Sequence, residues 1–221
     1  MIERQAAWDA ITNIDTDAAK AIIESGLRAY IAGSLSPDLW LNVIEASEGR
    51  VSKTELAKLT EFETQAAVSD PLAQYRDCIF GGDAEAGRKL FFTKTQLSCV
   101  RCHKVDATGG EVGPKLNEIG KNKDNRYLLE AIVNPDAKIA ENFETVVLLT
   151  EDDELITGIL RKETDKVIEL MDADGKTVTV NPELVVSRKK GKSSMPADLI
   201  KHLSRRELRD LVAYLSSLKG K

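Results

Sequence analysis

The run Cys99-Val100-Arg101-Cys102-His103 constrains this chain more than any other five residues. Two thiols stand three residues apart, and an imidazole follows at once. On one helical turn, residues at that spacing share a face, so both thiols and the ring are presented from a single short segment. The whole chain of 221 residues holds 3 cysteines and 2 histidines. Two of its three thiols and one of its two imidazoles are therefore spent here. Three cysteines cannot build a disulfide scaffold. A zinc site would need two further ligands, and Cys78 and His202 are a poor supply. A thioredoxin-like pair should follow a strand in a βαβ unit, whereas these flanks read as helix.

The spacing C-x-x-C-H is that of a c-type haem attachment site. Its thiols add to the two haem vinyl groups, and the adjacent imidazole is held beneath the iron. Cys99 and Cys102 are the expected tethers, His103 the expected iron ligand, and one covalent haem c per chain the expected cofactor. A chance match with no role stays open on the motif alone. Cys78, between two segments in Gln74–Phe80, reads as a small buried hydrophobe.

The surroundings of the motif have a pattern of their own. Asp83 suits a helix N-cap, and Ala84 to Lys94 then reads as a helix with Leu90 and Phe91 inward. The stretch Gly109-Gly110-Glu111-Val112-Gly113-Pro114-Lys115-Leu116 is too rich in Gly and Pro to be helical. Ser204-x-x-Glu207 is a capping box, and Leu208, Leu211, Val212, Leu215 and Leu218 form one stripe beyond it, with Tyr214 beside them. Mild acidity, a net charge of −5, gives no basic face for nucleic acid. No apolar run approaches the ~18 residues that a membrane span needs.

Gly87-x-x-Leu90-Phe91, Cys99-x-x-Cys102-His103, Gly113-Pro114-x-Leu116 and Leu211-Val212-Ala213-Tyr214-Leu215 together resemble a class I cytochrome c. The resemblance implies that the first and last helices cross at Gly87, Phe91 and Tyr214. It implies that the Pro114 carbonyl takes a hydrogen bond from His103, and that Leu116 packs on the haem face. It also implies a distal methionine in a loop before the last helix. Met195, in Lys192-Ser193-Ser194-Met195-Pro196, stands in such a loop and is the expected second iron ligand beside His103. Met1 is terminal, and Met171 lies in an expected strand. His202, seven residues past Met195, reads as a surface histidine.

From His103 to Met195 is 92 residues, more than a compact cytochrome needs. Asp124 to Val133 reads as a helix ended by Asn134-Pro135. The periodicity then changes to short β-branched runs at Glu144–Thr150, Leu155–Arg161, Val167–Met171, Thr177–Val180 and Leu184–Ser187, separated by Asp-rich turns. Five such runs predict a small antiparallel barrel of SH3-like or Sm-like type. Asp172-x-Asp174-Gly175 reads as a hairpin turn, since a calcium loop would need a later Glu that is missing.

Asn134-Pro135, Ile139-Ala140-x-x-Phe143-Glu144-Thr145, Leu155-Ile156-Thr157-Gly158 and Met195-Pro196 sharpen the likeness. Over about residues 82–219 the chain resembles the haem-binding domains of planctomycete and verrucomicrobial proteins. That family places this domain at the end of a large exported protein, after a propeller-type dehydrogenase-like domain and helical repeats. Glu3–Ile11, Thr16–Ala32, Pro37–Ala46 and Ser52–Ala67 read as amphipathic helices, with Pro37 at a first helical position. They are either a HEAT-like repeat remnant or a plain bundle. Trp8 and Trp40 read as core or former-interface residues.

The expected fold class is thus mainly α with a β insertion, α+β overall. Residues 1–80 form a helical, HEAT-like region. Residues 81–142 and 191–221 form the cytochrome c domain, and residues 143–190 the barrel inserted in it. The expected function is mono-haem electron transfer, from a dehydrogenase domain or partner to another redox carrier, without enzymatic activity of its own. The alternative is a haem-based sensor or protein-interaction module; a peroxide-reducing enzyme is disfavoured by the single C-x-x-C-H. No membrane span and no nucleic-acid partner are expected. Haem attachment implies a periplasmic or other extracytoplasmic location, yet Met1-Ile2-Glu3-Arg4 opens no signal peptide. The chain is therefore expected to be a piece of a larger exported protein, with Met1 added to it.

Overall fold

The structure, a computed structural model, describes residues 2–220, the side chain of residue 2 aside. Met1, considered above among the methionines, lies outside the described residues. The described chain divides into two compact units, residues 2–87 with 203–214, and residues 88–202 with 215–220.

The first unit is helical. It holds α1 (Ile2–Ile11), α2 (Asp17–Ile31), α3 (Trp40–Ser47) and α4 (Lys53–Ser69). Starts are set by side-chain caps: Thr16 accepts from the Ala19 amide and Ser52 from the Glu55 amide. At Pro37 the chain first makes a 3-10 turn, Pro37–Leu39, and becomes α-helical only from Trp40. Leu27, Tyr30, Val43 and Leu59 form the core, with Trp8, Trp40 and Phe62 packed against it. Both tryptophans are thus half-buried and pack on this core. The Arg76 guanidinium stands 5.0 Å from the ring centres of both Trp40 and Phe62, a cation–π contact that fills the gap between them.

The last helix, α9 (Arg205–Ser217), begins in this unit. Its capping box forms, with Glu207 N–H donating to Ser204 Oγ at 3.2 Å and Ser204 N–H to the Glu207 carboxylate at 2.9 Å. Leu208, Leu211 and Val212 are buried as the stripe requires. Its arginines reach back to the N-terminal helices: Arg205 pairs with buried Asp77, Arg206 with Asp9 and Glu45, and Arg209 donates to Asn42 at 2.8 Å. The start of α9 is therefore anchored on helices that precede the motif by far. Gly87 of α5 (Ala84–Thr93) lies against the Asp210 carbonyl and Tyr214.

The second unit carries α6 (Cys99–Cys102), α7 (Ile119–Asn122), α8 (Asn125–Val133) and a sheet. Asp124 caps α8 by accepting from the Tyr127 amide. The sheet is antiparallel in the order β4-β3-β2-β1-β5, with β1 (Thr145–Thr150), β2 (Leu155–Glu163), β3 (Ile168–Met171), β4 (Thr177–Val180) and β5 (Val185–Lys190). Val146, Leu148, Ile168, Leu170 and Val180 build its core, and Val185 from the far edge strand joins them. All five strands thus contribute side chains to one hydrophobic cluster. The Asp172–Gly175 segment is a hairpin turn: Asp172 accepts from the Asp174 and Lys176 amides, and Gly175 takes φ +80. β5 runs three residues further than its apolar pattern suggests, because Arg188, Lys189 and Lys190 sit on an exposed edge, where charged residues are tolerated.

Candidate functional site

The motif folds into a single turn. α6 spans only Cys99–Cys102, and the His103 amide closes it on the Cys99 carbonyl at 2.9 Å. Ser98 enters the turn with φ 47, a left-handed conformation that swings the chain sharply into it. So short a helix leaves its carbonyls without intrahelical partners. The following loop supplies them: Gly110 N–H donates to Val100 O at 2.9 Å and Gly113 N–H to Cys102 O at 2.8 Å. Leu116 N–H then donates to Lys104 O at 2.9 Å. The Gly-rich segment is thus wrapped around the motif.

This wrapping sets the imidazole. A Cβ at Gly113 would lie 2.6 Å from His103 Cε1, so only glycine permits so close an approach. His103 Nδ1 is 3.0 Å from the Pro114 carbonyl oxygen. Burial holds the His103 pKa below its ordinary value, and the bond to Pro114 opposes this only in part. The ring is therefore neutral near pH 7. A carbonyl has no proton to give, so the single ring proton is on Nδ1, and Nε2 presents a bare lone pair. No hydrogen bond to Nε2 is formed among the described residues. That is the state in which a histidine ligates a metal, oriented by a carbonyl on its other nitrogen.

The two thiols are half-buried and not joined to each other. Burial pushes the Cys99 thiol up to about 11 and raises Cys102 as well, with Arg101 opposing the latter. Both are neutral thiols. Cys78, by contrast, is fully buried, and burial followed by the Asp77 charge raises it further. Its role is packing.

Leu116 is buried, as are Val112 and Leu97 nearby in sequence. Met195 is half-buried in the loop between β5 and the 3-10 turn Leu199–His202. That loop is tied down. Ser193 N–H donates to Asp136 at 2.7 Å, Met195 N–H to Ser193 Oγ at 3.2 Å, and Thr145 Oγ1 to Lys192 O. Met171 lies in β3, and its sulfur is 3.7 Å from Arg161 Nη2. His202 is exposed. Cys99, Cys102, His103, Pro114, Leu116 and Met195 all fall in the second unit. Sequence reading does not single out Asp136 or Arg161; the first stands beside the Asn134-Pro135 helix stop, and the second carries no local signal.

Two uncrosslinked thiols on one turn and a neutral imidazole with a free, oriented Nε2 fit a covalently tethered haem. These features define a haem-binding segment of cytochrome type. Residues 84–147, less than a third of the chain, match the family model for cytochrome c. Domains of that family bind covalently attached haem c, and this segment is a cytochrome c-like haem-binding domain. The match includes Cys99, Cys102, His103, Pro114 and Leu116; Met195 lies beyond it. No match to the chain is found among curated proteins. No described helix is long and apolar enough to cross a membrane.

Proposed function

We propose that this chain is a mono-haem electron-transfer domain in which Cys99 and Cys102 would tether the haem while His103 and Met195 would ligate its iron. The observation that carries the reading is the His103 ring, whose Nδ1–H donates to the Pro114 carbonyl and whose Nε2 lone pair is left open among the described residues. When bound, the haem supplies a one-electron Fe(III)/Fe(II) couple. The chain's own residues do the rest. Pro114 and Gly113 fix the plane of the imidazole, so the ligand does not reorient between redox states. Neutral His103 needs no proton loss to ligate. Leu116 and its apolar neighbours keep water from that side. Asp136, Ser193 and Thr145 hold the Met195 loop, which lowers the entropy lost when a methionine ligates.

Electrons come from an oxidation at a fused or partner dehydrogenase domain and leave to another carrier. No general acid, base or nucleophile is needed, so the chain is not itself an enzyme. The N-terminal helices are the end of a HEAT-like array and the sheet a small SH3-like barrel, as in planctomycete haem-binding domains. The working location is outside the cytoplasm, where c-type haem is attached. The test is to export the chain in a host with haem-attachment machinery and record a pyridine haemochrome spectrum. A covalent c-type haem is expected, lost when Cys99 and Cys102 are both changed to Ser. Exported, folded protein free of covalent haem overturns the reading.

A further inference from the structure

The sheet touches the haem-binding segment through a few named residues, and one of them is placed unusually. β2 and β3 pair residue by residue up to Leu160↔Leu170, then resume at Lys162↔Glu169. Arg161 is the residue left over, a β-bulge. A bulge breaks the ladder and re-aims the side chain it carries. Here the freed side chain leaves the sheet. Its Nη2 donates to the Glu111 carbonyl at 3.0 Å, and its Nη1 to the Asn142 carbonyl at 3.4 Å. The guanidinium also lies 4.9 Å from the centre of the Phe143 ring. Its Nη2 is 3.7 Å from the Met171 sulfur as well.

Glu111 belongs to the loop whose next residues are Val112, Gly113 and Pro114. Gly113 lies against the His103 ring, and the Pro114 carbonyl accepts a hydrogen bond from its Nδ1–H. A second contact acts on the same region from the β3–β4 turn: Asp174 pairs with Arg101, inside the C-x-x-C-H run. We propose that Arg161 is a positioning residue for the haem site, its guanidinium clamping the Glu111 carbonyl so that Gly113 and Pro114 hold His103 in one orientation. The inference rests on the reading of His103 as an iron ligand. It gives the inserted sheet a task at the haem: to brace the loop that aims the proximal ring. It also accounts for the choice between methionines. The Met171 sulfur is engaged by the clamp, whereas Met195 stands in a separately anchored loop.

Main-chain carbonyls are the acceptors, so a planar fork is needed to reach two of them while stacking on Phe143. Lysine offers one point charge and cannot do all three. The order of effect should be Arg161→Ala, then Arg161→Gln, then Arg161→Lys as the mildest. The full chain is studied before and after haem attachment. Amide exchange is followed at Gly110, Gly113 and Leu116, and the midpoint potential is measured in the loaded form. In Arg161→Ala these amides should exchange about tenfold faster in both forms. The midpoint potential should shift while methionine coordination persists, with partial recovery in Arg161→Lys. Arg188→Ala, which removes a strand arginine paired to Glu163, is the control and should leave loop exchange unchanged. If Arg161→Ala does not fold, Arg161→Lys and Asp174→Asn provide the same readouts. Wild-type loop exchange and potential in these variants overturn the proposal, as does an equal effect of Arg188→Ala. A wild-type chain without covalent haem overturns the reading of the site instead, and the exchange data on the unloaded chain still decide whether Arg161 orders the loop.

Discussion

The Cα of Gly113 lies so close to the His103 ring that a methyl group placed on it would stand 2.6 Å from Cε1 and 2.7 Å from Nδ1. Neither side can yield easily. The Gly113 amide is bonded to Cys102 O, and the ring is bonded to Pro114 O. Gly113→Ala should therefore tilt the imidazole and break the Nδ1 bond, at a cost of about 1–3 kcal/mol of overpacking. The expected result is a loaded protein with a shifted or mixed-spin haem spectrum and a lower melting temperature. An unaltered spectrum would show that the ring does not depend on this glycine.

Met195 and Met171 make opposite predictions. Met195→Ala should abolish low-spin methionine coordination and lower the midpoint potential, because an axial methionine raises it. Met171→Ala should leave the ligand-field spectrum unchanged, since its sulfur faces Arg161. A wild-type spectrum in Met195→Ala would redirect attention to His202, which is exposed.

What could be read from the residues follows the range of the forces involved. Caps and turns are local: Thr16, Ser52, Asp124 and Ser204 start helices where their side chains reach an amide two or three residues on. The five strands declare themselves by short β-branched runs and Asp-rich turns. The length of β5 does not, because Arg188-Lys189-Lys190 resembles a loop until the exposed edge is known. The His103–Pro114 bond is legible only through a family likeness, since the partners stand 11 positions apart across an irregular loop. Arg161 was not legible at all. Its aim is set by a one-residue slip in the β2–β3 ladder, which no local pattern announces. The same holds for α9: its apolar stripe is plain, but Asp77 and Asn42 as partners of Arg205 and Arg209 depend on the packed fold.

The Asp77–Arg205 pair predicts a pH dependence. Asp77 is 2% exposed, and burial raises its carboxyl above the ordinary carboxylate range, with the Arg205 guanidinium opposing the rise. The folded state thus holds the Asp77 proton more tightly than the unfolded chain. Its contribution is fully present below the unfolded pKa and is lost as pH rises through the folded value. Arg205→Met removes the opposing charge and moves the folded value higher still. Its cost should be small near pH about 4 and grow to roughly 2–3 kcal/mol at neutral pH, the low end for a buried pair because Arg205 is partly exposed. Denaturant titrations at the two pH values check this. Adding Asp77→Asn to Arg205→Met should flatten the pH dependence; if it persists, neighbouring Glu63, also raised by burial, is the group responsible.

Gly87 sets a test of the α5–α9 contact in which two effects oppose each other. In an exposed helix, Gly to Ala gains about 1 kcal/mol of propensity. Here the added Cβ would meet the Asp210 carbonyl and lie 2.8 Å from Tyr214 Cβ. The carbonyl is main chain in the middle of α9, and the Tyr214 Cβ is fixed to the same helix, so neither is the free end of a flexible side chain. Overpacking of this kind costs about 1–3 kcal/mol, and with backbone on one side the upper end applies. The clash should win. Gly87→Ala should lose about 2 kcal/mol net and melt roughly 4–8 °C lower. Gly87→Val should be worse, because it adds bulk and lowers helix propensity. A rise in melting temperature for Gly87→Ala would mean that the helices can separate there at little cost.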